Sequence, residues 1–299
     1  MARRGLAVPA PAGPLRLRSE LVRTLSTLDG EIERALVRSA LTPEDIHDIH
    51  RDLRRLASGM AVWGHLVPTS QTAVVGEAAR RLRRLARLVG RVRDRDVTSQ
   101  LFASAARVPA GAAGPDPWHD FLGRLRDDRQ TGRELLLAFL RSERQAGLFD
   151  RARHLLGVNP RADAGRGLHR ILAEERRLRQ GRVRKAHRKA RRRPTSQRLH
   201  RLRIRIRQWR HLSTLELAAR ATSSHPPPTT WQRLQSRLGR LHDLDIALAT
   251  VPPELGGEAP VRRLRDRRRE LRRSITAALD QIASRPQRAT ARARLGVRR

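Results

Sequence analysis

One stretch of this sequence occurs twice, once in each half of the chain. Thr42–Leu56 reads TPEDIHDIHRDLRRL and Thr195–Trp209 reads TSQRLHRLRIRIRQW. An offset of 153 residues superposes His47 on His200. An internal repeat constrains a fold strongly, because both copies must bury the same face against equivalent neighbours.

A second pair of matching segments follows the first pair in the same order. Val89–Val97 reads VGRVRDRDV and Leu238–Ile246 reads LGRLHDLDI. The offset is now 149 residues and aligns Gly90 with Gly239. Two ordered matches at nearly equal offsets are improbable by chance, even in an arginine-rich chain. We therefore predict two homologous halves, each a bundle of about four helices.

The remaining sequence also has a helical pattern. Ala, Leu and Arg dominate, alternation with a period of two is scarce, and Gly and Pro cluster between the periodic stretches. These breaks predict helices near 15–40, 43–66, 71–106, 117–157 (two helices), 166–193, 196–221, 230–250 and 260–284. Thr42 is predicted to cap one of them, with Asp45 completing a capping box. The predicted fold class is all-α.

The two ends of the chain are predicted to lie outside the bundles. The first residues are too short and too rich in proline for an export signal. We expect a disordered N-terminal arm at 1–14 and a basic tail at 286–299. Between them, the first half spans 15–160 and the second half spans 161–285.

Composition adds a strong positive charge, carried almost wholly by arginine. Lys and Arg total 65 against 29 Asp and Glu, a formal net charge of +36, and only Lys185 and Lys189 are lysines. Self-repulsion of this size calls for an anionic partner. The absence of cysteine excludes disulfide scaffolds and thiolate metal sites, and 3% aromatic residues argues against base stacking. No apolar run is long enough to span a membrane, so we expect a cytoplasmic protein without a membrane partner.

The repeated helix carries a row of cationic side chains on one face. Helical geometry gathers them into about 80° of arc in each copy. They are His200, Arg203, Arg207 and Arg210 in the second copy and His47, His50 and Arg54 in the first. An apolar stripe borders each row, which predicts a half-buried groove. A solvated arginine face is the common alternative, but its repetition in both halves favours a shared binding site.

Further arginines are candidates for the same groove. Arg84 and Arg91 align with Arg233 and Arg240, and each pair is spaced i, i+7 on one helical face. They are predicted to extend the groove. The run 176–193 holds eleven Lys or Arg residues and no acid. It is either a charged linker or an addition to the same anion site.

Four aspartates close the second pair of matching segments. They are Asp94, Asp96, Asp243 and Asp245. We predict that they anchor arginines or cap a helix rather than bind a metal ion.

Together these residues resemble the CHAD family, the conserved histidine α-helical domains. Its hallmark is a helix in each half that reads H-x-x-R-[VI]-x-x-[RK]-[RK]-x-R. His200–Arg210 matches this pattern well. The first copy keeps His47, Arg54 and Arg55 and departs from the pattern at His50, Arg51 and Ala57.

The resemblance implies two four-helix bundles, related by a pseudo-twofold repeat around a basic central cavity that binds inorganic polyphosphate. It also implies association with polyphosphate granules. The residues implied to bind polyphosphate are His47, His50, Arg54, Arg55, Arg84, Arg91, His200, Arg203, Arg207, Arg210, Arg233 and Arg240. We expect no catalytic residue, metal or cofactor, and the oligomeric state is left open.

Two other function classes stay open. The dipeptides His47-Asp48, His119-Asp120 and His242-Asp243 are typical of metal-dependent HD phosphohydrolases. Against that class, the repeat places Arg201 where Asp48 would need an acidic equivalent. The net charge also fits a non-specific nucleic-acid-binding protein, although no recognition module is present.

Overall fold

The computed structural model describes residues 13–106, 117–219 and 227–284. Over these ranges the protein contains nine α-helices, one short 3₁₀ helix at Pro253–Gly257 and no strand, so the predicted all-α class is confirmed. The helices are α1 (Gly13–Val37), α2 (Pro43–Trp63), α3 (Thr69–Ala105), α4 (Pro117–Gln145), α5 (Leu148–Gly157), α6 (Ala164–Arg192), α7 (Ser196–Ala218), α8 (Thr229–Ala249) and α9 (Ala259–Ser284).

The predicted helix limits lie within three residues of the observed ones. The stretch 117–157 forms two helices, as predicted, with a break at Gly147, whose backbone has a φ of 67°. Helix α1 begins at Gly13 and so takes in the last two residues of the arm predicted at 1–14. The rest of that arm and the tail at 286–299 lie outside the described residues. Among the described helices, none is both long and apolar enough to cross a bilayer.

Caps fix where the two repeated helices begin. The Thr42 hydroxyl accepts a hydrogen bond from the Asp45 backbone N–H at 3.1 Å, and the Asp45 carboxylate accepts from the Thr42 N–H at 2.8 Å. Burial raises the pKa of Asp45, but the bonds from Thr42 and Arg38 outweigh it and hold the pKa below its usual value. Thr195 caps α7 through the Arg198 N–H at 3.4 Å. The start of each helix determines which face carries its cations.

Helices follow the same order of neighbours in both halves. Helix α1 packs on α2, α2 on α3 and α3 on α4, while α6 packs on α7, α7 on α8 and α8 on α9. The first half has five helices, because the short α5 is added to it. The predicted pseudo-twofold repeat of two four-helix bundles stays a prediction, since an order of neighbours does not define a rotation axis.

The apolar cores join the two halves rather than separating them. The largest core is built mainly by α1–α5, and it also contains Leu168 of α6 and Leu212 of α7. A second core lies within α6–α9. A third joins α3 and α4 to α8 and α9, and it contains Phe102, Leu244 and Leu264. Helices α2 and α3 thereby meet α7 and α8, and the repeated rows of cations lie where they meet.

Candidate functional site

Four half-buried arginines from three helices face one another between the halves. They are Arg54 of α2, Arg93 of α3, and Arg203 and Arg207 of α7. Burial, together with Arg203 and Arg93, lowers the pKa of Arg54 to about 10. Burial, Arg54, Arg203 and Arg93 lower the pKa of Arg207 to about 9. The guanidiniums are therefore close enough to repel one another, and we call the four residues the cationic cluster.

Imidazoles surround the cationic cluster and are neutral at pH 7. Burial, with Arg54 and Arg93, lowers the pKa of His50 to about 3. Burial also lowers the pKa of His211 to about 3, and Arg54 adds to that shift. Next to them, burial and Arg203 lower the pKa of His242 to about 4. These rings can donate one N–H each to a ligand without adding positive charge to the site.

A histidine pair closes the α8 side of the site. The Nδ1 atoms of His200 and His242 lie 3.3 Å apart, and their ring centroids are 4.6 Å apart. One of these two nitrogens must donate and the other must accept, so at most one carries a hydrogen in this arrangement. Burial and the nearby Arg203 and Arg207 lower the pKa of His200, while Asp245 acts in the opposite direction.

The repeated glycines make room for the second residue of each row. A Cβ atom at Gly90 would lie 3.2 Å from Nε2 of His50. At Gly239, the corresponding Cβ would lie 4.0 Å from Nε of Arg203. His50 and Arg203 are equivalent under the repeat, as are the two glycines. The glycine of each matching segment therefore lets α3 or α8 approach the cation row of α2 or α7 closely.

Nearby carboxylates neutralise only part of the positive charge of the cationic cluster. Nη1 of Arg93 lies 3.3 Å from Asp94 and 3.7 Å from Asp243. Burial raises the pKa of both carboxyls, although Arg93 opposes the shift. In the part of the chain that the structure describes, Arg54, Arg203 and Arg207 form no ion pair.

One donor in the site has no acceptor. Nε of Arg207 is buried and has no hydrogen-bond partner among the residues that the structure describes. The cationic cluster therefore holds more half-buried positive charge than the carboxylates around it neutralise, and an anion would supply both the charge and the acceptor.

The other two aspartates anchor arginines of the next helix, as predicted. Asp96 accepts hydrogen bonds from Arg129 and Arg133 of α4 at 2.7 and 2.8 Å. Its equivalent Asp245 accepts from Arg268 of α9. These bonds tie α3 to α4 and α8 to α9. Within 13–106, 117–219 and 227–284, no group of three His, Asp or Glu side chains is arranged to hold a metal ion.

Comparison with known families agrees with these features. The family model of the CHAD domain matches residues 23–252, which include all four helices around the cationic cluster. This chain belongs to the CHAD domain family. No curated protein matches it. The family predicted from the two histidine helices is thus confirmed, on a stretch that covers most of the chain.

The CHAD repeat brings part of the predicted site together. Five of the twelve predicted residues lie in or beside the cationic cluster: His50, Arg54, His200, Arg203 and Arg207. His47 is exposed at its edge, close enough to lower the pKa of His50. Arg210 is also exposed and donates to the Gln235 side chain of α8 at 3.0 Å.

The other five predicted residues are either paired with another helix or exposed. Arg55 forms an ion pair with Glu20 of α1, because it lies about 100° around α2 from Arg54. We therefore exclude it from the site. The remaining four, Arg84, Arg91, Arg233 and Arg240, are exposed and form no ion pair within the described ranges.

The basic run 176–193 is part of α6 rather than a linker between helices. Arg191 pairs with Asp280 of α9, beside Arg188 and Arg192 in a surface pocket. These residues lie away from α2 and α3, so we do not add this part of the run to the site.

Three residues of the site were not predicted from sequence. Arg93 and His242 occupy the same position of the second repeated segment, so the repeat itself could have indicated them. His211 lies four residues after Arg207, at a spacing that places both on one helical face. It was overlooked because it stands just beyond the family pattern.

Proposed function

We propose that this protein binds inorganic polyphosphate in the cationic cluster. The observation that carries the proposal is a set of three half-buried guanidiniums, Arg54, Arg203 and Arg207, that form no ion pair within the described ranges. Asp243 and Asp94 lie near Arg203 and offset part of its charge. Burying like charges costs stability, so such a set is expected where an anion completes the site. Membership of the CHAD family supports the same ligand.

The chemistry of the site suits a chain of phosphates. A guanidinium donates two parallel hydrogen bonds to phosphate oxygens, and the arginines come from both halves, so they can hold an extended chain from two sides. The imidazoles add donors of shorter reach. A polyanion in the site would also favour the protonated imidazoles, which adds charge only when the ligand is bound.

The two alternative functions gain no specific support. In two of the His-Asp dipeptides the aspartate is already paired, Asp48 with Arg51 and Asp243 with Arg93. For nucleic acid, the four guanidiniums are half-buried between helices rather than spread over an open face. We propose a binding protein rather than an enzyme, and association with polyphosphate granules follows from the same proposal.

A charge-matched pair of variants tests this function. The cluster variant carries Arg54→Gln, Arg203→Gln and Arg207→Gln. The control variant carries Arg177→Gln, Arg184→Gln and Arg188→Gln, which removes three exposed arginines from one face of α6. Calorimetric titration with long-chain polyphosphate measures the affinity of each, and thermal unfolding checks that both variants fold.

The two variants should differ clearly in their affinity for long-chain polyphosphate. We expect the cluster variant to lose affinity by at least about a hundredfold, since charge-assisted hydrogen bonds contribute about 1.5–3 kcal/mol each. The control should lose no more than a few-fold. Equal losses in the two variants would show that binding follows net charge alone and would refute the proposed site.

A further inference from the structure

A row of exposed arginines runs along α3 from the edge of the cationic cluster. Arg87, Arg83 and Arg80 follow one another toward the N-terminus of α3, and we call them the α3 row. With Asp94 they fall within about 60° of arc. All three are exposed, and none forms an ion pair within the described ranges.

The α3 row lies on the side of α3 that faces the site. Asp94 contacts Arg93 and lies close enough to Arg203 for each to shift the pKa of the other. Gly90, one turn away, lies against the His50 ring. From Asp94 to Arg80 is a distance of about 21 Å along the helix axis. The row therefore continues the site rather than forming a separate patch on another face.

Neighbouring side chains leave the α3 row open. Helix α2 runs antiparallel to α3, and the α2 residues that follow Arg54 on the same helical face are Ala57, Ser58 and Ala61. These small residues do not reach over the row. At its far end, the Arg80 guanidinium folds back over Gly76, 3.6 Å from where a Cβ would stand.

The second half has no equivalent of the α3 row. The repeat aligns Arg80, Arg83 and Arg87 with uncharged residues of α8. These are Thr229, Gln232 and Ser236. A phosphate chain in the cationic cluster therefore meets three further cations beside α3 and none at the equivalent positions of α8. The row of three arginines is therefore a feature of α3 that the repeat does not reproduce at the aligned positions of α8.

We propose that the α3 row is a second binding segment for polyphosphate, which holds the part of a long chain that leaves the cationic cluster. This inference rests on the proposed function. The inference specifies long-chain polyphosphate as the ligand, because a chain too short to leave the cationic cluster does not reach the α3 row. The protein therefore selects long chains over short ones, through Arg80, Arg83 and Arg87.

The test compares two triple variants on two ligands. The row variant carries Arg80→Gln, Arg83→Gln and Arg87→Gln. The control is the α6 variant with Arg177, Arg184 and Arg188 changed to Gln, which removes the same charge from exposed helical positions on the side of α6 opposite Arg179, the residue that contacts α7. Long-chain polyphosphate and tripolyphosphate are titrated into the wild type and both variants at several salt concentrations.

We expect the row variant to lose about tenfold in affinity for the long chain, since exposed ion pairs contribute up to about 1 kcal/mol each. Its salt dependence should fall by about 2 in log–log slope, by analogy with single-stranded nucleic acids. Its affinity for tripolyphosphate should equal that of the wild type. The affinity of the control variant for each ligand should change by less than about threefold, because single exposed charges contribute little to binding.

Two results would overturn the inference while leaving the proposed function intact. One is an equal loss of long-chain affinity in the row variant and the control variant. The other is a loss of tripolyphosphate affinity as large as the loss for the long chain, which would place the row inside the short-chain site. Failure of the wild type to bind either ligand would instead refute the proposed function, and the inference with it.

Discussion

Acid should destabilise the ligand-free protein through its buried imidazoles. The pKa of His50 and that of His211 are both about 3, against an ordinary value of 6.5. Below pH 6.5 the unfolded chain therefore binds protons that the folded protein does not. The free energy of unfolding is unaffected by these groups above that pH and falls as the pH drops toward 3.

The size of this effect follows from His50 and His211, the two rings whose pKa values lie furthest below 6.5. At about pH 5, each unprotonated histidine costs about 2 kcal/mol relative to neutral pH, so His50 and His211 together cost about 4 kcal/mol. His242 acts in the same direction but is more open to solvent, which weakens its contribution. The raised pKa values of Asp94 and Asp243 act in the opposite direction, because these carboxyls take up protons in the folded state first.

Urea unfolding of the wild type and of the double variant His50→Gln/His211→Gln, at about pH 7.5 and about pH 5, measures the effect. We expect the wild type to lose about 4 kcal/mol between the two conditions and the variant to lose much less. An unchanged free energy of unfolding in the wild type would refute the reasoning. So would an equal loss in the variant, since the acid sensitivity would then arise elsewhere.

Other substitutions test separate parts of the account. Arg207→Gln should raise the free energy of unfolding of the ligand-free protein by about 1 kcal/mol, because it relieves repulsion in the cationic cluster. The melting temperature should rise accordingly, and a lower melting temperature would contradict this. Asp96→Asn should cost about 3 kcal/mol in urea unfolding, because it leaves Arg129 and Arg133 without their buried carboxylate. Thr42→Ala should cost about 1 kcal/mol by the same assay, through loss of the α2 cap.

The helices and the main row of cations could be predicted because both depend on local spacing. Gly and Pro interrupt the periodic stretches, and Thr42 and Thr195 fix the start of α2 and α7. Once those starts are known, the helical repeat places Arg203 and Arg207 on one face. Their approach to Arg54 on the other half follows from the duplication, which is itself a pattern in the sequence.

The rest depends on contacts between distant segments. Arg55 was assigned to the site from the family pattern, but its partner Glu20 lies on another helix. Arg93 enters the site only because α3 packs on α8, which brings Asp243 to it. The glycine at position 90 could be aligned with its repeat, yet its contact with a histidine ring is visible only in three dimensions.

The boundary between the two halves could likewise be predicted only in part from the sequence. Proline and glycine near position 160 suggest a division, and α6 does begin soon afterwards. Yet Leu168 of α6 packs in the core of the first half, and Leu212 of α7 joins it there. Apolar residues of an amphipathic helix indicate which face is buried, but not which neighbour covers it.

The most direct test of the central claim is a crystal structure of the protein grown with tripolyphosphate. We expect phosphate oxygens within hydrogen-bond distance of Arg54, Arg203 and Arg207, with the Arg207 Nε atom among the donors. An anion bound instead at the exposed face of α6, with those three guanidiniums unliganded, would contradict it.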